Sequence, residues 1–328
     1  MVRMNNCITN EDVLCSLIRT SFGSDETVSI LDDVDWKSVV DLSMEQGVSA
    51  IACNGLHRLY ETNPKMTLSI DLPENEDVKF EWFSNTMRVE KYNQLVSSQA
   101  VKLTKMFAKN GFRSCVLKGQ GLGLLYPEPQ LRQSGDIDIW VEGGREKVLA
   151  FVRKHWKVSH IVNHHAEVKF FNDTSVEVHY MPAWVYNPIN DAKLQKYFVQ
   201  EADAQFSNMT DAGFTMPTIG FNLVFVAIHI YKHFYQGDIT LKQIVDYYYV
   251  LKASTSDERI SAFKFLSELG LENFVANLMF VMKIKLGLED EYLLCTPRES
   301  SHRPLGELIC LYPWKLCHLG WRLYKGYL

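Results

Sequence analysis

Residues 136–141, Asp-Ile-Asp-Ile-Trp-Val, carry two carboxylates, Asp136 and Asp138, separated by a single isoleucine. Side chains alternate along an extended chain, so on a strand both aspartates share one face while Ile137, Ile139 and Val141 share the other. The apolar face packs on a core, and two like charges are left side by side. Such a pair stays ionised only beside a compensating cation. Mg²⁺ suits it, because this ion takes a few carboxylates and completes its shell with water and substrate phosphate. Residues 175–180, Ser-Val-Glu-Val-His-Tyr, repeat the parity, with Glu177 and His179 on one face and Val176 and Val178 on the other. If the two strands are neighbours, Glu177 completes a triad. Two ions held by three carboxylates can activate an attacking oxygen and stabilise a leaving pyrophosphate.

Asp-x-Asp pairs also occur on solvated strand faces, so the pair alone does not establish a metal site. The preceding loop shifts the balance. Residues 118–132, Lys-Gly-Gln-Gly-Leu-Gly-Leu-Leu-Tyr-Pro-Glu-Pro-Gln-Leu-Arg, follow an expected strand and contain Gly119, Gly121 and Gly123. Glycines there let backbone N–H groups approach a phosphate, and a helix starting at that point adds its positive end. Lys118 and Arg132 bracket the loop and supply charge for a triphosphate. The loop is neither a P-loop nor a dinucleotide-binding G-x-G-x-x-G crossover.

The ordered set L-K-G, Y-P, R-x-x-G-D-I-D-I and V-E-V-H, within residues 114–182, resembles the uncharacterised bacterial nucleotidyltransferases of the polymerase-β-like superfamily. The resemblance implies a glycine loop that holds nucleotide phosphates, a metal pair at Asp136 and Asp138, a third carboxylate at Glu177, and transfer of a nucleoside monophosphate from an NTP to an acceptor. It implies two Mg²⁺ ions, with Mn²⁺ as an alternative, and nucleotide contacts from Lys118, Gly119, Gln120 and Arg132. Gln120 follows Gly119 where the superfamily has a small residue, and sixteen residues separate Gly119 from Asp136 where about ten are usual.

Other polar groups compete for roles. His165 and Glu167 share a strand parity, which makes His165, with His179, a candidate for contact with the acceptor or with the metal ligands. His160, His164 and His165 lie close together and could bind zinc, although ordinary polar contacts are the favoured reading of such a cluster. His229 and His233 are four apart on an expected helix, with no third ligand in sequence. The resemblance places His233, Lys242 and Asp246 across the cleft from the metals. Lys242 and Asp246 also read as an i, i+4 ion pair. Cys115 sits in an expected buried strand and reads as packing.

The elements that must position these groups form three blocks. Helical periodicity runs through residues 1–110, broken near Gly47 and by a polar, proline-containing connector at 61–77, with a long helix from about 78 to 109. Residues 111–210 form the α/β core, with strands at 114–118, 136–142, 165–171 and 175–181 and a helix between the second and third. Asn172-Asp173 reads as the turn of a hairpin. Helical periodicity returns in residues 211–328. The fold class is therefore α+β, a small mixed or antiparallel sheet with helices, flanked by helical segments on both sides.

Composition sets the outer bounds. The chain has 328 residues, 47% hydrophobic and 22% charged, the balance of a globular protein. No run is long and apolar enough to span a bilayer, no terminal segment reads as a secretory signal, and seven scattered cysteines form no C-x-x-C pair, so a cytoplasmic location is expected. A net charge of −5 disfavours broad nucleic-acid binding without excluding a local groove. The aromatic and basic C-terminus, residues 312–328, reads as a packed helix with a membrane or partner surface as the weaker reading. The acceptor, the base and the oligomeric state stay open. The rival to an enzyme is a nucleotide-binding regulator or toxin–antitoxin-type protein without turnover, or one that binds a partner through its helical flanks; the intact acidic triad favours the enzyme.

Overall fold

The structure, a computed structural model, describes residues 9–24, 34–62 and 76–299. The C-terminal stretch at 312–328, for which a packed helix was expected, lies outside the described residues. Strands β1 (Ser114–Leu117), β2 (Ile137–Val141), β3 (Val158–Ile161), β4 (His165–Val168) and β5 (Val176–His179) form one mixed sheet in the order β1-β2-β5-β4-β3. The β2–β5 pair is parallel and the other three are antiparallel. This is the α+β class that the hydrophobic periods imply.

Helices surround the sheet. The first block gives α1 (Asn10–Ser21), α2 (Trp36–Glu45), α3 (Ser49–Thr62) and the long α4 (Glu76–Lys109). The short α5 (Gly119–Gly123) follows β1, and α6 (Gly144–His155) follows β2. After β5 come α7 (Pro188–Ser207), α8 (Ile219–Gln236), α9 (Leu241–Ala253), α10 (Ser256–Glu268) and α11 (Glu272–Leu286). Two elements have no counterpart in the sequence reading, β3 and α7. Strand β3 has no fully buried residue, so it lacks a strong alternation, and α7 buries only Leu194, Phe198, Gln205 and Phe206 along twenty residues.

The three blocks along the chain fold onto two apolar cores. One lies between the sheet and the long helix: Ile137, Ile139, Val176 and Val178 meet Val96, Leu103 and Phe107 of α4 and Val148 and Val152 of α6. The other joins the first helical block to the last, packing Leu14, Leu17 and Ile51 with Val224, Ile228, Tyr247 and Met279, and reaches the opposite face of the sheet through Cys115, Leu117 and Trp140. Helices α1 and α3 cross so tightly that a Cβ on Gly55 would stand 1.8 Å from the Leu17 carbonyl oxygen; only glycine permits that approach.

The β4–β5 register differs from the expected tight hairpin. A two-residue turn at Asn172-Asp173 would set Glu167 opposite Val178, but the strands end at Val168 and restart at Val176, and Glu167 pairs with Glu177. This one-residue difference carries Glu167 and His165 to the acidic face of the sheet.

Candidate active site

Strand β2 sits between β1 and β5, which sets the acidic face. Asp138 lies directly opposite Glu177 across the parallel pair and opposite Leu117 across the antiparallel one. Two positions on, Trp140 partners His179, and His179 in turn partners His165 of β4. Asp136 immediately precedes β2 and has the same parity as Asp138. The expected triad is therefore assembled by main-chain pairing, with Glu177 beside the aspartates.

Lys118 closes this group from the β1 side. It occupies the junction of β1 and α5 with φ +47° and ψ −140°, a conformation that a side-chain-bearing residue adopts at a cost, and Gly119 follows with φ +36°. The bend delivers the Lys118 Nζ to 3.0 Å from Asp138 Oδ1, and His179 Nε2 lies 2.8 Å from the same oxygen. His165 Nδ1 and His179 Nε2 stand 3.1 and 3.4 Å from Glu177 Oε2.

The electrostatics separate the two aspartates. Burial works to raise the Asp138 pKa, but the Lys118 charge and the His179 hydrogen bond outweigh it and hold the carboxyl well below its usual range. Asp136 is pushed up, first by the charge of Asp138 and then by burial. Burial acts to lower Lys118 and His179, yet both end above their ordinary values because of the carboxylates, Asp138 foremost. The donor set fits a divalent cation. Asp138, Glu177 and His179 offer ligand atoms within 4.8 Å of one another, and the Asp136 carboxyl stands near enough to be destabilised by the charge of Asp138.

A cavity of about 560 Å³ opens over this face, with Lys118, Asp136, Glu177 and His179 on its floor. Helix α8 contributes His229, Lys232 and His233, and the segment after β5 contributes Trp184. Lys232 Nζ lies 5.2 Å from the Trp184 ring centroid, and burial, reinforced by Lys118, lowers its pKa to about 8. Neither Lys232 nor Trp184 carries a motif in sequence; only the packing of α8 over the sheet brings them here.

The remaining expected residues divide. Gly119, Gln120 and Arg132 line a neighbouring cavity of about 240 Å³ with Asn93 and Ser134. Asn93 of α4 fixes that wall, donating to the Gln130 and Arg132 carbonyl oxygens at 2.6 and 2.5 Å, and Gln120 Nε2 donates to Ser134 Oγ at 3.0 Å. Asp246 does not reach the large cavity. It accepts from Arg132 Nε at 2.7 Å, Arg132 Nη2 at 2.8 Å and Tyr126 Oη at 2.7 Å, a buried bidentate pair instead of the i, i+4 partnership with Lys242. Arg132 Nη1 has no hydrogen-bond partner among the described residues. Lys242, lowered chiefly by burial and then by Arg132, is not among the residues lining either cavity. His233 does line the larger cavity, with its Nδ1 2.9 Å from Asp238 Oδ1 and its ring against His229. His160 is exposed on β3, apart from His164 and His165. Cys115 is fully buried, and burial pushes its thiol up, so it packs.

Residues 32–287 match the family described as "Uncharacterised nucleotidyltransferase". The chain belongs to this nucleotidyltransferase family. Among solved structures it is similar to an antigenic nucleotidyltransferase-like protein from Paracoccidioides brasiliensis, at 14% identity and a TM-score of 0.35, over 59% of this chain and 93% of that one. Comparison with curated proteins gives no match. In this nucleotidyltransferase no helix among the described residues is long and apolar enough to cross a membrane.

Proposed function

We propose that this nucleotidyltransferase is a divalent-cation-dependent enzyme that moves a nucleoside monophosphate from an NTP to an acceptor hydroxyl or phosphate. The observation that carries the reading is the equal register of Asp138 and Glu177 on adjacent parallel strands, with Asp136 beside them at the floor of the large cavity. Asp136, Asp138 and Glu177 would hold Mg²⁺, two ions in the full reading and Mn²⁺ as an alternative. Bound ions would supply charge neutralisation at the triphosphate and lower the cost of the developing negative charge.

The chain's own residues divide the remaining work. Gly119 and Gln120 present the start of α5 to the phosphate tail, and Arg132 lines the same small cavity while Asp246 holds its guanidinium. Lys118 sits between that cavity and the carboxylates, where it would follow the negative charge as it moves from the α-phosphate to the leaving group. The acceptor oxygen attacks the α-phosphorus, the α–β bridging bond breaks, and pyrophosphate leaves. Glu177 takes the acceptor proton or aligns the hydroxyl. The large cavity receives the nucleoside and acceptor, with His165, His179 and His233 on its walls. Asp246 supports this arrangement by fixing Arg132, and Lys242 lies behind it. Among the described residues Cys53, Cys115 and Cys295 are unpaired thiols, which suits a reducing cytoplasm.

Thermal shift with each NTP, with and without Mg²⁺, tests the reading. Stabilisation that requires both, and that disappears in the Asp136→Asn/Asp138→Asn double variant, supports it. Pyrophosphate release with a pool of candidate acceptors then separates turnover from binding. Nucleotide stabilisation indifferent to Mg²⁺ and to these aspartates would overturn it.

A further inference from the structure

The acidic face carries an excess of nitrogen ligands that a site for Mg²⁺ does not require. His164, His165 and His179 each offer one ring nitrogen, and these three atoms all lie within 4.8 Å of one another. His164 Nε2 is 3.2 Å from His165 Nδ1, His165 Nδ1 is 3.1 Å from Glu177 Oε2, and His179 Nε2 is 3.4 Å from that oxygen. Ligand atoms around a tetrahedral ion with bonds of about 2.0–2.1 Å are separated by roughly 3.3 Å. The separations of 3.1, 3.2 and 3.4 Å match three edges of such a shell.

The backbone holds these rings in place. His165 and His179 are direct cross-strand partners on the antiparallel β4–β5 pair. The bend that carries His164 is clamped to the end of β5, where its carbonyl oxygen accepts from the Tyr180 and Met181 N–H groups. The Tyr180 hydroxyl lies within hydrogen-bond reach of the Val162 carbonyl oxygen in the bend and the His165 carbonyl oxygen at the start of β4. A cluster on rigid strands and a pinned turn is preorganised for a ligand in a way that mobile surface histidines are not.

We propose that His164, His165 and His179, together with Glu177, form a cation site for a borderline transition metal of the Zn²⁺ or Co²⁺ type, on the nitrogen-rich side of the acidic face and adjoining the aspartate site through His179, whose Nε2 also lies 2.8 Å from Asp138 Oδ1. Imidazole selects such ions over Mg²⁺, which prefers oxygen. Glu177 is the hinge between the two sites. A transition metal on the nitrogen side would fix its carboxylate and add positive charge to the floor of the cavity without occupying the aspartates.

The site is tested with the full chain, stripped of metal by a chelator and titrated with Co²⁺ in the absence of nucleotide. The expected result is the intense visible absorption of tetrahedral Co²⁺, saturating near one equivalent, displaced by Zn²⁺ and not by excess Mg²⁺. His164→Gln and His165→Gln each weaken Co²⁺ binding by about a hundredfold, whereas Asp136→Asn and the exposed control His160→Gln leave it unchanged. Glutamine keeps a polar side chain in the pinned bend, and thermal melting of each variant separates lost ligation from lost fold. A titration without the tetrahedral spectrum, or one that His164→Gln and His165→Gln do not weaken, overturns the proposal. Binding lost in Asp136→Asn but kept in both histidine variants places the ion on the aspartates and overturns it equally. Because no nucleotide is present, these outcomes are independent of whether the protein releases pyrophosphate.

Discussion

Two buried aspartates, Asp138 and Asp246, each face a basic side chain, and the contrast between them identifies which is built for chemistry. Asp246 accepts three hydrogen bonds from fixed donors, two from Arg132 and one from Tyr126, and lines neither cavity. Asp138 is equally buried and lines neither cavity itself, but its partners Lys118 and His179 are shared with Asp136 and Glu177, and all four of these neighbours line the larger cavity. A saturated carboxylate holds the fold together. One whose neighbours compete for too little positive charge is poised for a ligand.

The largest effect that would break this contrast is on turnover. Asp138→Asn is expected to reduce pyrophosphate release by about a thousandfold or more while the protein stays folded; near-normal turnover would remove Asp138 from the chemistry. On the structural side, Asp246→Ala strands the Arg132 guanidinium in the interior and should cost about 3–5 kcal/mol in denaturant unfolding. The double variant Arg132→Met/Asp246→Leu should recover much of that stability, and equal losses in single and double variants would show that the pair is not the cause.

A smaller effect has the opposite sign. The Asp136 pKa is raised on folding, so its ionisation costs stability as pH rises through the window from the ordinary carboxylate value up to the folded value, and the cost is fully present above that folded value. Asp136→Asn should therefore stabilise the metal-free protein at pH 7 while removing activity. The gain should vanish in acid, below the unfolded pKa, and a destabilised variant at pH 7 would contradict the repulsion. The smallest effect concerns Lys232, which loses its charge as pH rises through about 8. Nucleotide affinity should fall a few-fold across that range, and Lys232→Met should flatten the dependence.

Much of the site was legible because strand parity is local. The spacing in Asp-Ile-Asp and Val-Glu-Val-His determined which side chains share a face, and hydrophobic periods placed α4 close to its observed bounds and marked as helical the block that holds α8 through α11. What stayed hidden depends on which segments meet. Arg132 reads as a phosphate ligand next to a glycine loop, and nothing near it signals an aspartate 114 residues away. The convergence of His164 with His179 needs the β4–β5 register, which the tempting turn at Asn172-Asp173 sets one residue wrong. Lys232 and Trp184 become cavity walls only when α8 lies over the sheet.

The equal register of Asp138 and Glu177 has an evolutionary corollary. Adjacent strands are spaced about 4.8 Å apart by their hydrogen bonds, whatever the loops around them do. The separation of the two acidic groups is thus inherited from the sheet itself, whereas the cavity's upper walls come from α8 and the segment after β5. Relatives can recut those walls for a new acceptor without retuning the acidic pair.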